Sequence, residues 1–429
     1  MSESRIQRLL IAIAVLIVMG QWVRTMCQPD GDFVLHWKFG QHLHEGRFLY
    51  DAGHNPYPPV WAVPHVPFSL LPLHVAKPAF FLVGLLSSLF LLWILHDLTR
   101  SAFPLTQNRL FWVYAAVLLI TSRFVTRDLD DGGQNLTLLM LTWLGIWFCV
   151  RQRPVLAGGS LGLAMALKCT AGLFLLYFLL KRQWRLAGAC IAWTGLFMLT
   201  PVCWQGWASY QQHMACWLRF LQAGMQQTDP ATGVLGAELL QNRALRPSLA
   251  RFLMTLPEGH PGRYPGTGHI DFLDLTPTKA GILIKCIMIA LVLSLGWVFR
   301  APAATHDTMT YVWEAAVVSL LALLYSPITW TQHCVAVLPS IFLLVRSWAS
   351  GQRTSLWIPA SIVAFALVVL GTNRAFVGHA GTLLMDSYHV VTCAIVGLIA
   401  VMTRFHPTTI QRQTSSLLNP LTEFSPTST

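Results

Sequence analysis

The amino-acid sequence predicts an all-α membrane protein that crosses the bilayer many times. Of its 429 residues, 54% are hydrophobic and 11% are charged, whereas soluble proteins carry about 25% charged residues. The apolar residues come in long runs, and a helix needs about 20 such residues to span a bilayer. Lys and Arg lie in small groups between the runs, which is the pattern of cytoplasmic loops. Groups this small do not form a nucleic-acid-binding surface, although the net charge is +11.

About ten of the apolar runs are predicted to be full spans, with both termini in the cytoplasm. Arg5 and Arg8 precede the first run and no small-residue cleavage site follows it, so we expect an uncleaved first helix. Residues 1–404 are predicted to form a single membrane domain, and the Ser-, Thr- and Pro-rich residues 405–429 a disordered cytoplasmic tail. The predicted spans are approximately 9–23, 74–98, 110–125, 136–150, 186–204, 280–298, 311–324, 334–348, 356–371 and 388–402.

The apolar run from Val155 to Leu180 does not fit this count. Positive residues on both sides of it favour the cytoplasm, so its two ends are expected on the same side of the membrane. The run is too short for two full spans, and Lys168 lies at its middle. We therefore predict a re-entrant half-hairpin, a broken helix whose bend carries Lys168 toward the outer side. A single helix with a buried lysine is the alternative.

Two polar intervals, about residues 27–73 and 205–279, are predicted to be loops on the outer side. The first carries Asp30 and Asp32 directly after the first span and continues through a predicted amphipathic helix on the membrane surface. The shorter loop at residues 123–135 adds three more acidic residues on the same side. The two acidic loops are therefore expected to face each other.

Neither the cysteines nor the histidines form a recognisable metal site. The nine cysteines include no Cys-x-x-Cys pair and are interpreted as small core residues. His36, His42 and His44 lack the spacing of metal ligands on a helix. Two Asp-x-Asp pairs have no obvious third ligand. We expect no cofactor, and we expect a metal to be dispensable.

Asp32 is the strongest candidate for a chemical role, although a solvated loop carboxylate without function is an equal interpretation of this residue taken alone. By the predicted topology, Lys168, the arginines of residues 243–251 and His333 fall on the same side of the membrane. A carboxylate that faces cations in a cavity against lipid is expected where an anionic lipid phosphate is held beside a base.

Short motifs occur in a fixed order along most of the chain, from about residue 8 to residue 404, and together resemble a known family. They are an Asp after the first span, Gly46-Arg-Phe-Leu-Tyr50, Tyr57-Pro58-Pro59, Gly133-Gln134-Asn135, Ala166-Leu167-Lys168, Gln241-Asn242 with Arg251, and Ser326-Pro327 through Trp330 and His333. This set resembles the bacterial GT-C membrane glycosyltransferases of family 87, a group that includes polyprenol-phosphate-mannose-dependent mannosyltransferases. The resemblance implies a GT-C type helical bundle and no nucleotide-sugar domain.

The resemblance also implies roles for individual residues. Asp32 takes the place of the family's catalytic acid and is expected to act as the base. The residues expected to bind the donor phosphate are Lys168, Arg251 and His333. The residues expected to line the donor or acceptor cavity are Asp30, Tyr57, Gln134 and Asn242. Two positions depart from the family pattern, because Ala244 replaces a small hydroxyl residue and Gln332 stands where a second histidine often occurs.

The function implied by the resemblance is glycosyl transfer in the bacterial inner membrane, with the active site on the periplasmic side. The expected partners are a polyprenyl-phosphate-linked sugar donor, with mannose as the sugar, a lipid or glycan acceptor of the cell envelope, and membrane lipids. One carboxylate base and a good leaving group fit a single inverting displacement. A secondary transporter or lipid flippase is the alternative, although the chain has no strong internal repeat. A non-catalytic scaffold for envelope assembly is a further alternative.

Overall fold

A computed structural model of the protein describes residues 3–28, 31–53, 56–263, 272–302, 308–352 and 355–407. Over these residues the chain is helical apart from turns and one very short hairpin, so the all-α prediction is confirmed. The α-helices are α1 (Glu3–Cys27), α2 (Asp32–His44), α3 (Val66–Ser69), α4 (Leu73–Thr99), α5 (Gln107–Asp131), α6 (Asn135–Val150), α7 (Pro154–Leu167), α8 (Leu173–Leu180), α9 (Trp184–Met198), α10 (Val202–Gln226), α11 (Leu245–Leu253), α12 (Pro277–Val298), α13 (Thr308–Tyr325), α14 (Leu338–Ala349), α15 (Trp357–Gly371), α16 (Arg374–Ser387) and α17 (Val390–Arg404). The 3-10 helices are Leu49–Ala52, Pro59–His65, Cys169–Gly172 and Thr331–Val337. The hairpin pairs β1 (Thr232–Gly233) with β2 (Gly236–Ala237).

Six of the described helical segments are long and apolar enough to cross a bilayer, namely α1, α4, α5, α12, α13 and residues Thr331–Ala349. Two sharply bent pairs, α9 with α10 and α15 with α16, raise the number to eight if each pair is one span. The predicted count of ten is therefore not confirmed. The helices α6 and α17 contain 16 and 15 residues, which is roughly 22 to 24 Å of helix and less than the ~30 Å hydrocarbon core.

The segment between α7 and α8 is a broken helix with its break at Lys168. The backbone of Lys168 is extended, with φ −142° and ψ 109°, and a 3-10 turn separates it from α8. Pro154 at one end of this segment and Arg182 beyond the other end line the same cavity. Cys149 Sγ also lies 3.4 Å from Gln183 Oε1. The segment therefore enters and leaves at one end of the bundle, which is the geometry of a hairpin and not of a single helix.

Close packing between α7 and α9 holds this hairpin in place. A Cβ atom on Gly158 would lie 2.5 Å from Ala189 Cβ, and one on Gly162 would lie 2.8 Å from Trp193 Cβ. The two glycines are four residues apart, as in the small-residue seams that let helix backbones approach in membranes. Residue numbers rise together along both helices at these contacts, so α7 and α9 run parallel.

The two ends of the bundle differ chemically. We call the end that carries Asp32, Asp128 and Lys168 the acidic end. At the opposite end, Lys181 Nζ forms a fully buried ion pair with Glu314 at 2.7 Å. Removing one partner of such a buried pair strongly destabilises the folded protein, because the other charge stays buried without a partner.

Both described termini lie at the end opposite the acidic end. His406 Nε2, just after α17, is 3.3 Å from the carboxylate of Glu314. At the other terminus, Glu3 accepts hydrogen bonds from Asn108 and Trp112 at the start of α5. The helix α5 then runs to Asp128 at the acidic end. Of the predicted tail, residues 408–429 lie outside the described residues.

The long polar interval at residues 205–279 is partly helical, although it was predicted as a loop. The helix α10 changes direction at Gly206, where φ is 74°, and its second part carries the chain away from α9. The helix α11 packs against α12 through a small core that includes Ala250 and Ile284. Asn242 and Arg243, which precede α11, join this interval to the rest of the bundle.

Gly158→Ala is expected to destabilise the protein by about 1–3 kcal/mol, because the added methyl group overpacks the contact with α9. The matched control is Gly159→Ala, whose Cβ would meet Trp193 only at an ordinary 3.6 Å. This control is expected to keep or slightly raise stability, because Ala favours a helix over Gly. Thermal unfolding of both variants in one detergent measures the difference. Equal melting temperatures would contradict the described α7–α9 packing.

Candidate active site

The two acidic loops meet at the start of α2. Gly31 has φ 135°, and a Cβ atom there would lie 3.3 Å from the carbonyl oxygen of Asp131. Gly132 has φ 67°, and a Cβ atom there would lie 2.6 Å from Phe33 Cβ. Both glycines therefore combine a left-handed backbone with a close approach, which other residues tolerate poorly. The structure places these loops in contact, as the sequence analysis expected.

Asp32 is the first residue of α2, and its side chain is exposed. The positive end of the helix dipole favours a carboxylate at this position. Asp32 Oδ2 accepts a hydrogen bond from Gln332 Nε2 at 3.1 Å, which joins α2 to the 3-10 helix Thr331–Val337. A carboxylate held this way through one oxygen remains accessible to a bound molecule.

A second carboxylate, Asp128, is buried and organises the start of α6. Its Oδ1 accepts from the backbone N–H of Asn135 at 3.2 Å and from Asn135 Nδ2 at 2.8 Å. Its Oδ2 accepts from the backbone N–H of Leu136 at 2.9 Å. The two backbone N–H groups belong to the first turn of α6, where such groups lack partners inside the helix. Gly133 leaves the necessary room, since a Cβ atom there would lie 2.7 Å from Asp128 Oδ1.

Lys168 reaches this second carboxylate site from the break between α7 and α8. Its Nζ donates to Asn135 Oδ1 at 3.0 Å and lies 5.8 Å from the centre of the Tyr57 ring. Gln332 links this group to Asp32, because its Nε2 donates to Asp32 Oδ2 and its Cγ would lie 3.3 Å from a Cβ atom on Gly133, two residues before Asn135. The structure thus brings Lys168, Tyr57 and Asp32 to one place from three distant parts of the sequence.

Lys168 and His333 line the same small cavity, which has a volume of about 90 Å³. Asn135 and Ser326 supply further polar groups to its wall. His333 Nδ1 lies 3.0 Å from the carbonyl of Ile328 and 3.1 Å from the backbone N–H of Trp330, so the ring is fixed by its own turn. Two of the three predicted phosphate-binding residues therefore share one cavity.

An apolar groove of about 520 Å³ shares two of its helices with this cavity. The groove runs between α8, α12 and α13, and α8 and α13 also form walls of the cavity. On α8, Phe174 lines the cavity while Leu173 and Leu176 line the groove. The cavity and the groove thus use different residues of the same two helices.

A cluster of aromatic and histidine rings packs behind the Tyr57 ring that faces Lys168. Tyr57 stacks on Trp61 with ring centres 3.9 Å apart, and Trp61 Nε1 donates to His36 Nδ1 at 3.0 Å. Burial raises the pKa of Tyr57, and two nearby carboxylates, Asp32 among them, raise it further. Burial lowers the pKa of His36 well below its usual value and that of His65 to about 4. Both histidines are therefore neutral near pH 7.

Gln134 is placed beside this cluster by an unusual backbone. It precedes α6 with a left-handed φ of 58°, is buried, and has its side chain next to the His65 ring. The predicted cavity residues Tyr57 and Gln134 thus lie near Lys168. Asp30, which was predicted with them, lies outside the described residues.

Asn242 and Arg251 lie in the network that attaches the polar interval at residues 205–279, called the outer interval below, to the bundle. Asn242 Nδ2 donates to the carbonyl of Pro327 at 3.1 Å. Arg251 is buried, and its guanidinium donates to the carbonyls of Leu239 at 2.6 Å and Leu240 at 2.9 Å. Burial lowers the pKa of Arg251 to about 10. Neither residue lines the cavity that holds Lys168, and the assignment of Arg251 to the donor phosphate stays a prediction.

The structure adds three residues to which the sequence analysis gave no role, namely Asp128, Asn135 and Gln332. The available signal for the first two was an Asp in the last turn of one helix followed by Gly-Gly-Gln-Asn at the start of the next. An Asp close to the start of the next helix can accept hydrogen bonds from the free backbone N–H groups there. No comparable signal predicted that Gln332 contacts a residue 300 positions away.

Together these residues form a site with an exposed carboxylate and an ammonium group, and two helices of the site also line an apolar groove. The carboxylate can accept a proton, and the ammonium group can bind an anionic oxygen. Among the described residues, no group of three His, Cys, Asp or Glu side chains has the geometry to hold a metal ion.

The family model for glycosyltransferase family 87 matches residues 55–327. The chain belongs to glycosyltransferase family 87. The family resemblance drawn from the order of the motifs is thereby confirmed. The match covers the segments that carry Tyr57, Asp128, Asn135 and Lys168. Most of the site therefore lies within the region that the family model matches.

Two curated relatives are similar to this family 87 chain over most of its length. A polyprenol-phosphate-mannose-dependent alpha-(1-2)-phosphatidylinositol mannoside mannosyltransferase of Mycolicibacterium smegmatis is 28% identical over 328 residues, 72% of this chain and 65% of the relative. A polyprenol-phosphate-mannose-dependent alpha-(1-2)-phosphatidylinositol pentamannoside mannosyltransferase of the same organism is 28% identical over 368 residues, 82% of this chain and 79% of the relative. The chain thus spans slightly less than two thirds of the first relative's length. No solved structure matches it significantly.

Asp128→Asn is expected to lower the free energy of unfolding by about 1–3 kcal/mol, because one backbone N–H at the start of α6 loses its acceptor. The control is Asp131→Asn, whose carboxylate pairs with the half-exposed Arg127. Because Arg127 remains half in solvent, this pair within one helix contributes at most about 1 kcal/mol. Thermal unfolding in detergent compares the variants. A larger loss for the Asp131 variant would contradict the capping role of Asp128.

Proposed function

We propose that this protein is a membrane glycosyltransferase that moves mannose from a polyprenyl-phosphate donor to a hydroxyl group of an envelope glycolipid or glycan. The observation that carries the proposal is the shared site of Asp32 and Lys168 beside an apolar groove, in a family 87 chain. The donor class is also supported by the printed names of the curated relatives. Their phosphatidylinositol mannoside acceptors make a glycolipid acceptor the first choice here.

The donor fits the site by charge and by polarity. Its phosphate lies in the cavity against the Lys168 ammonium group, and His333 lines the same cavity. Its isoprenoid chain occupies the groove between α8, α12 and α13. The Arg251 guanidinium donates to the carbonyls of Leu239 and Leu240, and its role at the donor phosphate stays a prediction.

The proposed reaction is a single displacement at the anomeric carbon. The acceptor oxygen forms a bond to this carbon as the bond to the phosphate oxygen breaks, and the leaving phosphate keeps the electron pair. Asp32 accepts the proton of the acceptor hydroxyl. Lys168 stabilises the charge that develops on the leaving phosphate. Because attack and departure occur on opposite sides of the carbon, the configuration inverts.

The location of the site follows from charge and topology. The small groups of Lys and Arg between the apolar runs favour the cytoplasm, and the described termini lie at the end opposite the acidic end. We therefore propose that the protein resides in the bacterial inner membrane, with both termini cytoplasmic and the acidic end facing the periplasm. A transporter or flippase would need polar access from both faces, whereas Asp32, Lys168 and the cavity that Lys168 lines all lie at the acidic end.

Membranes that contain the protein are expected to transfer label from polyprenyl-phosphate mannose to an endogenous lipid extract. Asp32→Asn is expected to lower this rate by about 10²–10⁴-fold, which is the usual contribution of a positioned base. The matched control is Asp51→Asn, an exposed acid of the same interval with no assigned role. Thin-layer chromatography of the labelled lipids measures the product.

Three outcomes separate the alternatives. Transfer that depends on the wild-type protein and on Asp32, but not on Asp51, supports the proposal. Wild-type transfer with an active Asp32 variant would keep the enzyme class and exclude Asp32 as the base. The absence of transfer from every polyprenyl-phosphate sugar tested would overturn the proposed function.

A further inference from the structure

The Asp32 carboxylate receives a hydrogen bond from a buried amide on the far side of the site. Gln332 is 6% exposed, and its Nε2 donates to Asp32 Oδ2 at 3.1 Å. Asp32 itself is exposed at the start of a helix, where its side chain could otherwise adopt several rotamers. The hydrogen bond engages Oδ2 and leaves Oδ1 to face a bound molecule. An amide keeps its donor at every working pH, since it has no proton to gain or lose near neutrality.

The turn that presents Gln332 is held by two residues of the outer interval. Asn242 Oδ1 accepts from the backbone N–H of Thr329 at 2.9 Å, and the backbone N–H of Arg243 donates to the Thr329 carbonyl at 2.8 Å. The Arg243 guanidinium donates to Thr331 Oγ1 at 2.5 Å. The turn therefore has fixed contacts at Thr329 and at Thr331, the residue directly before Gln332.

Arg243 is itself anchored to another part of the bundle. Its Nη2 forms an ion pair with Asp386 Oδ1 at 2.9 Å, and both side chains are almost fully buried. The backbone carbonyl of Arg243 accepts from Thr392 Oγ1 at 3.0 Å. A chain of contacts thus runs from the end of α16 through Arg243 and Thr331 to Gln332 and Asp32.

We propose that Gln332 positions the Asp32 carboxylate for proton transfer, and that Asn242 and Arg243 hold Gln332 in place through the 326–331 turn. This inference rests on the proposed function, because it concerns the base of that reaction. Gln332 acts through Asp32 and is a positioning residue, not a catalytic one. The outer interval then contributes to turnover without contact with the reacting atoms.

Gln332→Met removes the donor at similar length and is expected to lower kcat about 10–100-fold with little change in KM, because supporting residues of this kind contribute that much. Gln332→His keeps an N–H donor and is expected to restore most of the activity.

The contact between Arg243 and Thr331 is tested in the same way, because Thr331→Val removes the acceptor of Arg243 and Thr331→Ser retains it. The valine variant is expected to be the slower of the two.

A double-mutant cycle with Asp32→Asn distinguishes positioning from general destabilisation. If Gln332 acts through Asp32, then Gln332→Met has no further effect on the residual rate of the Asp32→Asn protein. An equal fold-loss in both backgrounds would overturn the inference, as would an unchanged kcat for Gln332→Met in the wild-type background. Both of these results leave the proposed function intact when wild-type transfer still requires Asp32. Absence of wild-type transfer would overturn the proposed function and this inference with it.

Discussion

The hydrogen bond between Lys168 and Asn135 is the interaction on which the rest of the site depends. A lysine deep within apolar helices is costly unless it is paired or lines a polar cavity. Here the cost is met by a broken helix, which releases Lys168 from α7, and by Asn135, whose amide oxygen accepts from the ammonium group at 3.0 Å. Asp128 in turn fixes Asn135 through its side chain and its backbone N–H. A single buried carboxylate therefore caps a helix and orients the partner of the central cation.

This arrangement explains why the site combines segments that are remote in sequence. The hairpin supplies the cation, the end of α5 and the start of α6 supply its support, and α2 supplies the exposed carboxylate. The glycines at positions 31 and 132 let the last two parts approach closely. Asn242 and Arg243 attach the outer interval to the turn that precedes Gln332. Helices and their ends thus hold Asp32 and Lys168 in place, and the groove between α8, α12 and α13 is apolar.

Much of this organisation could be predicted from the sequence, because it follows from charge and periodicity. Positive residues on both sides of the 155–180 run predicted that its ends share one side, and the structure has the break at Lys168. Asp32 could be singled out because an acid directly after a membrane helix is unusual in a chain with so few charges. The motif order predicted the family, and the family model confirmed it.

Other features could not be predicted, because they depend on tertiary contacts. Arg251 and Asn242 carry the same polar groups whether they face a ligand or a backbone carbonyl, and only the fold places them against carbonyls of this chain. The contact between Gln332 and Asp32 joins residues 300 positions apart, beyond the reach of any local pattern.

The most direct test of this account is an experimental structure of the protein in lipid with a non-hydrolysable polyprenyl-phosphate sugar bound. We expect the phosphate within hydrogen-bonding distance of Lys168 Nζ, the isoprenoid chain along α8 and α13, and the anomeric carbon on the side that faces Asp32. A phosphate bound instead at the opposite end of the bundle, beside Arg182 and Arg185 in the cavity there, would contradict the central assignment of the site.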